Sequence, residues 1–281
     1  YACLKHLINQ QEIVTINQVI LAGNSSIKKD YKSEISQLCL ANNIKVFSRD
    51  DQIDTLNENI YSLAISWRSL IDRDGLIIFH DSLLPKYRGF SPLVSQLINK
   101  ESILGVTALK SNNDGYDCGD IYAQSQIKIS YPIKINDAII KTTKCYLEAI
   151  DMVIELINKN RLIGKKQDSK MATYSLWRDE NDYMINWSKD ADYIERFVNA
   201  SGFPYSGAQT TLGGKKVYVL DGYACPDLYI ENRMPGKLIM KDSRGLPIVV
   251  CGKGLYKITR CVNEDGVDII TNNKKFRLNF N

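Results

Sequence analysis

Two kinds of residue in this chain could move protons: its two histidines, His6 and His80, and the turn carboxylates Asp117 and Asp120 in the run Asp117-Cys118-Gly119-Asp120. His80 follows the apolar run 76–79 and leads into Asp81-Ser82-Leu83-Leu84-Pro85, a turn sequence. At the carboxyl end of a strand in an open α/β sheet, an imidazole stands where ligands bind. The same residue could instead end the strand and hydrogen-bond the next turn. His6 shares a helical pattern with Leu4, Leu7 and Ile8, which suits a structural role. Either carboxylate could serve as a turn acceptor around Gly119, and Cys118 has no base beside it in sequence. Ser82 before Leu-Leu-Pro reads equally as a capped, buried turn, and Arg88 as a donor to loop carbonyls.

The elements that would position these groups follow from periodicity. Short apolar runs at 19–22, 44–47, 61–66 and 76–79 alternate with a helical pattern through Tyr31, Ile35, Leu38 and Cys39. Such alternation predicts an open sheet whose plan would place a further strand ahead of Tyr1. Ser91-Pro92 can begin a helix through Ile98, 105–109 reads as a strand, and 121–130 alternates as a half-exposed one. Asn136 can cap a long helix with an apolar face at Ile139, Thr143, Tyr146, Leu147, Ile150, Val153 and Ile157. Residues 160–170 are polar and Lys-rich and read as a linker. Beyond a short helix near 190–200, strands are expected at 208–212, 216–220, 237–240, 248–251 and 255–261, the first two joined by Gly213-Gly214. The fold class is α/β: a Rossmann-like, mostly parallel sheet over 1–171, then a smaller β domain, an OB-like barrel, over 172–281.

Composition narrows the function. The formal charge is +4 and is not gathered into one region, so nothing points to nucleic acid as a partner. Seven scattered cysteines without a CxxC spacing argue against a disulfide framework and a zinc cluster, so no metal is expected and a reducing cytoplasm fits best. No apolar run approaches the roughly 18–20 residues of a membrane span.

His80-x-Ser82-Leu83-Leu84-Pro85-x-Tyr87-Arg88-Gly89, then Gly105-Val106-Thr107, then Asp117-x-Gly119-Asp120-Ile121, together resemble the signature of formyltransferases that use 10-formyltetrahydrofolate. Ala172-Thr173-Tyr174, Ile185-Asn186-Trp187, Pro204-x-x-Gly207-Ala208 and Val250-Cys251-Gly252-x-Gly254 resemble the C-terminal domain shared by methionyl-tRNA formyltransferases and sugar N-formyltransferases. The resemblance implies acyl transfer from folate to a primary amine, with His80 and Asp117 catalytic. It also implies that Trp67, Arg68, Leu70 and Ile71 line the pterin pocket, with Asp120 in support, and that Ser82, Tyr87, Arg88 and Gly89 bind substrate. Core packing accounts equally well for Leu70 and Ile71.

One position departs from the family. Ile78 stands where the pattern has an Asn, two residues before His80 and on the same side of a strand. An amide from Asn112 or Asn113 could replace the lost oxyanion donor, or His80 and Asp117 could act alone. A protein that binds folate or sugar nucleotide without turnover is the third reading. The segment 23–31 is short and carries only Lys28 and Lys29 where the tRNA enzymes have a longer basic loop. This favours a nucleotide-linked amino deoxy sugar, of the kind used for cell-surface glycans, as acceptor over initiator tRNA. The small β domain is a candidate for substrate binding or for building a homodimer.

Overall fold

The computed structural model describes residues 1–23, 27–51, 60–67, 75–112, 115–270 and 275–281. Arg68, Leu70, Ile71 and Asn113 lie outside the described residues. The chain divides into two compact units: residues 1–93, 102–129 and 139–176 form one, and residues 94–101, 130–138 and 177–281 the other.

The first unit opens with α1 (Ala2–Ile8), β1 (Gln18–Leu21), α2 (Lys32–Ala41) and β2 (Lys45–Ser48), the two strands pairing in parallel. A four-stranded sheet follows, built from β3 (Ser62–Ile65), β4 (Leu76–His80), β6 (Ile103–Lys110) and β7 (Ile121–Lys128) in that spatial order. β3 and β4 are parallel, whereas β4–β6 and β6–β7 are antiparallel. The sheet is thus mixed rather than mostly parallel: the connection between β6 and β7 is too short for the crossover that parallel strands need. Two short strands, β5 (Arg88–Gly89) and β8 (Tyr174–Ser175), form a separate parallel pair that no local pattern predicts.

One face of this sheet carries the core. Ile77 and Phe79 of β4, Val106 and Ala108 of β6 and Ala123 of β7 pack against α4 (Ile135–Asn158). The helix presents Tyr146, Ala149, Ile150, Val153 and Ile154 at helical spacing. Each Ile or Val among them contributes roughly 1.5–3 kcal/mol when fully buried. Cys3 and Leu7 of α1 join the same cluster, and His6 ties α1 to α4 through Nε2, 2.6 Å from Asp151 Oδ1. His6 is therefore structural. Residues 160–170 are not a free linker, because Lys165 pairs with Ile121 in both directions at 2.8 Å.

The second unit contains most of α3 (Pro92–Ile98), then α5 (Ala191–Ser201) and an antiparallel sheet in the order β11-β12-β13-β10-β9. These strands are β9 (Ala208–Leu212), β10 (Lys215–Cys225), β11 (Leu238–Lys241), β12 (Pro247–Val250) and β13 (Leu255–Val262). α5 buries Ile194, Phe197, Val198 and Ser201 along one stripe and packs on β10 and β13. Among the described residues the strands do not close into a barrel. Instead, residues 278–281 bridge both edges, Asn281 N to Thr211 O at 3.1 Å and Leu238 N to Leu278 O at 3.0 Å. Trp187 fills the space beneath, its ring centroid 5.8 Å from that of Phe280 and its Nε1 donating to Thr210 Oγ1 at 3.0 Å.

Candidate active site

Because side chains alternate along a strand, Ile77 and Phe79 commit one face of β4 to the core and leave Ile78 and His80 on the other. Across β6, Ile78 faces Leu109 and His80 faces Thr107. Buried Thr107 anchors the turn after His80: its hydroxyl donates to Ser82 O at 2.6 Å and accepts from Leu84 N at 3.1 Å. Gln124 Nε2 adds donors to Leu84 O at 3.0 Å and to Thr107 Oγ1 at 2.9 Å. Ser82, fully buried, spends its own hydroxyl on Lys86 O at 2.6 Å. It shapes the turn.

That turn returns the chain to the imidazole. His80 Nε2 lies 2.7 Å from Tyr87 O, and His80 Nδ1 lies 3.4 Å from Asp117 Oδ2. The first contact requires a proton on Nε2, since a carbonyl only accepts; the second is an ion-pair distance, attractive when Nδ1 carries a proton as well. Asp117 Oδ2 also accepts from Gly89 N at 2.9 Å, so one carboxylate oxygen takes both contacts and Oδ1 is left for a substrate or water proton. Gly89 is required there: its φ is +97°, and a Cβ would meet Ser175 O at 2.7 Å. Tyr87 and Asp117 both adopt left-handed backbone, φ 60° and 51°. Tyr87 is held by its N–H on Thr173 Oγ1 at 2.9 Å.

A cleft of about 510 Å³ is lined by Arg88, Asn112, Gly115, Tyr116, Cys118, Ser169 and Tyr174, with neither His80 nor Asp117 in its wall. Tyr116 and Cys118 flank Asp117, and Arg88 precedes Gly89, so the cleft is framed by the immediate neighbours of the catalytic candidates. Phe90 supports Tyr116 edge-on, with centroids 5.2 Å apart. Arg88 is buried and directs Nε and Nη2 to Gln167 Oε1 at 3.1 and 2.8 Å. Trp67 follows the carboxyl end of β3, next to that of β4, and its buried Nε1 has no hydrogen-bond partner among the described residues. Asp120 engages Lys110 N through its backbone carbonyl and packs its Cβ beside Gly164, apart from the His80–Asp117 contact.

Behind His80, on the core side, Tyr146 donates to Asp81 Oδ1 at 2.5 Å. Burial pushes the Asp81 carboxyl above the ordinary carboxylate range, against the opposing effects of the Tyr146 hydroxyl and of His80. Burial and the neighbouring Asp81 push the Tyr146 hydroxyl well up.

Sequence reasoning brought His80, Asp117, Tyr87, Arg88 and Gly89 to one place, as the structure does. It gave no role to Thr107 or Thr173, although both lie inside the quoted motifs, and it passed over Gln167, a lone polar residue in a Lys-rich run.

Fold and site define an α/β protein with a histidine–carboxylate pair at the carboxyl end of β4. The chain belongs to the formyl transferase family: "Formyl transferase" matches residues 61–143 and "Formyl transferase, C-terminal domain" matches residues 178–272. A methionyl-tRNA formyltransferase of Geobacter metallireducens is 31% identical over 67% of this chain, and the match spans only 58% of that protein's length. One of Fusobacterium nucleatum is 26% identical over 97% of this chain and 93% of its own. The fold matches that of WlaRD, a sugar 3N-formyl transferase solved with dTDP and 5-N-formyl-THF, with a TM-score of 0.63 at 18% identity, covering 92% of each chain.

Proposed function

We propose that this protein transfers a formyl group from 10-formyltetrahydrofolate to the primary amine of a nucleotide-linked amino deoxy sugar. The observation that carries the reading is the approach of His80 Nδ1 to Asp117 Oδ2, with that oxygen pinned by Gly89 N–H. Bound folate would supply the formyl carbon. The amine nitrogen forms a bond to that carbon, the bond from the carbon to the folate nitrogen breaks, and the proton lost by the amine ends on the departing folate nitrogen. Asp117 is placed to take that proton through Oδ1, and a protonated His80 to stabilise the oxyanion electrostatically. The buried Trp67 Nε1, without a partner among the described residues, fits the pterin role, since a ring oxygen or nitrogen could accept from it.

The sugar acceptor is favoured by the short 23–31 segment and by a cleft whose tyrosines and arginine suit a nucleoside and its phosphates. Initiator tRNA is the second reading, favoured by the names of the sequence relatives. Seven cysteines present as thiols suit a cytoplasmic setting. No described helix is long and apolar enough to cross a membrane.

The test incubates the purified protein with 10-formyltetrahydrofolate and a panel of amino-sugar nucleotides while tetrahydrofolate release is followed. Amine-dependent release that is lost in His80→Ala and Asp117→Ala supports the transferase. Tight folate binding without turnover would make the protein a binder. Formylation of charged initiator tRNA in preference to every sugar would select the second reading.

A further inference from the structure

Gln167 sits in an exposed segment, its neighbours Lys165, Lys166 and Asp168 all facing solvent, yet its own side chain turns inward and makes four hydrogen bonds. Oε1 accepts from Arg88 Nε and Nη2 at 3.1 and 2.8 Å; Nε2 donates to Asp117 O at 2.8 Å and to Gly119 O at 2.7 Å. The orientation of the amide is fixed by chemistry, because a guanidinium only donates and the two backbone carbonyls only accept. No other uncharged side chain of this length offers two acceptor sites on one atom and two donors on the next.

We propose that Gln167 is a positioning residue that holds Asp117 in register with His80 and joins it to Arg88 at the cleft. Asp117 has a left-handed backbone, φ 51°, a conformation costly for a non-glycine residue that persists only where the surroundings over-determine it. Gln167 Nε2 grips the carbonyls of residues 117 and 119, spanning that turn. With the turn held, Asp117 Oδ2 stays between His80 Nδ1 and Gly89 N–H. The other end of the amide takes two bonds from the buried Arg88 guanidinium, which lines the cleft, so one side chain sets the proton-accepting carboxylate and the acceptor-side cation together. The positioning claim stands on geometry alone; its kinetic consequence rests on the formyl-transfer reading.

The two ends of the amide can be cut separately. Gln167→Glu keeps an acceptor for Arg88 but presents carboxylate oxygens to two carbonyls; Gln167→Met removes both sets of bonds. The Gly89 amide, bonded to Asp117 Oδ2, reports where that carboxylate is without any substrate, and the Phe90 amide, bonded to Ser175 O at 2.9 Å, is the internal control. Both variants should speed hydrogen exchange at Gly89 about 10-fold or more and leave Phe90 unchanged. In steady-state assays Gln167→Glu should lower kcat roughly 10- to 100-fold with the acceptor KM within about 3-fold of wild type, while Gln167→Met should also raise that KM. Unchanged exchange at Gly89, or equal acceleration at Gly89 and Phe90, would overturn the proposal. A wild-type protein that transfers no formyl group would sink the functional reading and leave the exchange result to decide this one.

Discussion

Residues 177–281 and residues 1–176 make their left-handed turns in different ways. In the later stretch every described residue with clearly positive φ is a glycine, at 207, 213, 214, 236, 245, 254 and 266. In the earlier stretch eight non-glycine residues adopt that conformation, and two of them, Tyr87 and Asp117, contact His80 directly. A third, Ser66, precedes Trp67. Each such residue stores about 1–3 kcal/mol of strain, tolerated where hydrogen bonds hold it on several sides. Three of the eight, Asn43, Lys100 and Asn160, simply close the C-terminal ends of α2, α3 and α4, whereas Tyr87 and Asp117 use the strained conformation to set groups against His80.

The sharpest way to probe the relaxed half is Gly236→Ala. With φ +89° and a Cβ that would stand 2.0 Å from Phe280 O, the change should cost more than about 2 kcal/mol and release the tail. A urea midpoint close to wild type would contradict this account of the sheet edges. On the strained side, Ile78→Asn restores an amide to the face shared with His80, where the nearby Gln124 amide is already spent on Leu84 and Thr107. We expect kcat to rise by up to about 100-fold, because one oxyanion donor is worth about that much. No rise would show that another donor already fills the position.

Asp117→Gly and Asp117→Ala should both abolish the proposed transfer, but the glycine variant should be more stable than the alanine variant by roughly 1 kcal/mol, since only it relieves the left-handed strain. Equal midpoints would remove strain from the comparison. The smallest effect expected is at Asp81. Its carboxyl is raised in the folded state, so the native protein keeps a proton that the unfolded chain has lost, and stability falls as pH rises from about 3.8 through the folded value. Asp81→Asn removes that slope. Its stability relative to wild type should therefore improve as pH rises above about 3.8, and a gap that stays constant with pH would contradict the assignment.

Much of this arrangement was legible in the sequence. Periodicity and apolar runs located β1 to β4, the long α4 and the strands of the C-terminal sheet, and in β4 and α4 local spacing records the face that is buried. The run 76–80 even announced the split between core and site, with Ile78 on the side of His80. What escaped was non-local. The two-residue pair β5–β8 joins positions 88–89 to 174–175, and two residues carry no periodicity. Gln167 escaped because its meaning lies in three residues distant in sequence, Arg88, Asp117 and Gly119, while its neighbours look like a solvated linker. The antiparallel turn of the sheet escaped because strand patterns do not encode direction.

The central claim is that His80 and Asp117 work as one unit, and a double-mutant cycle measures it most directly. Rates of amine-dependent tetrahydrofolate release would be compared for His80→Ala, Asp117→Ala and the double variant. If the pair acts together, the double variant should lose little more than the worse single variant. Losses that multiply, each residue contributing as though the other were absent, would contradict the account.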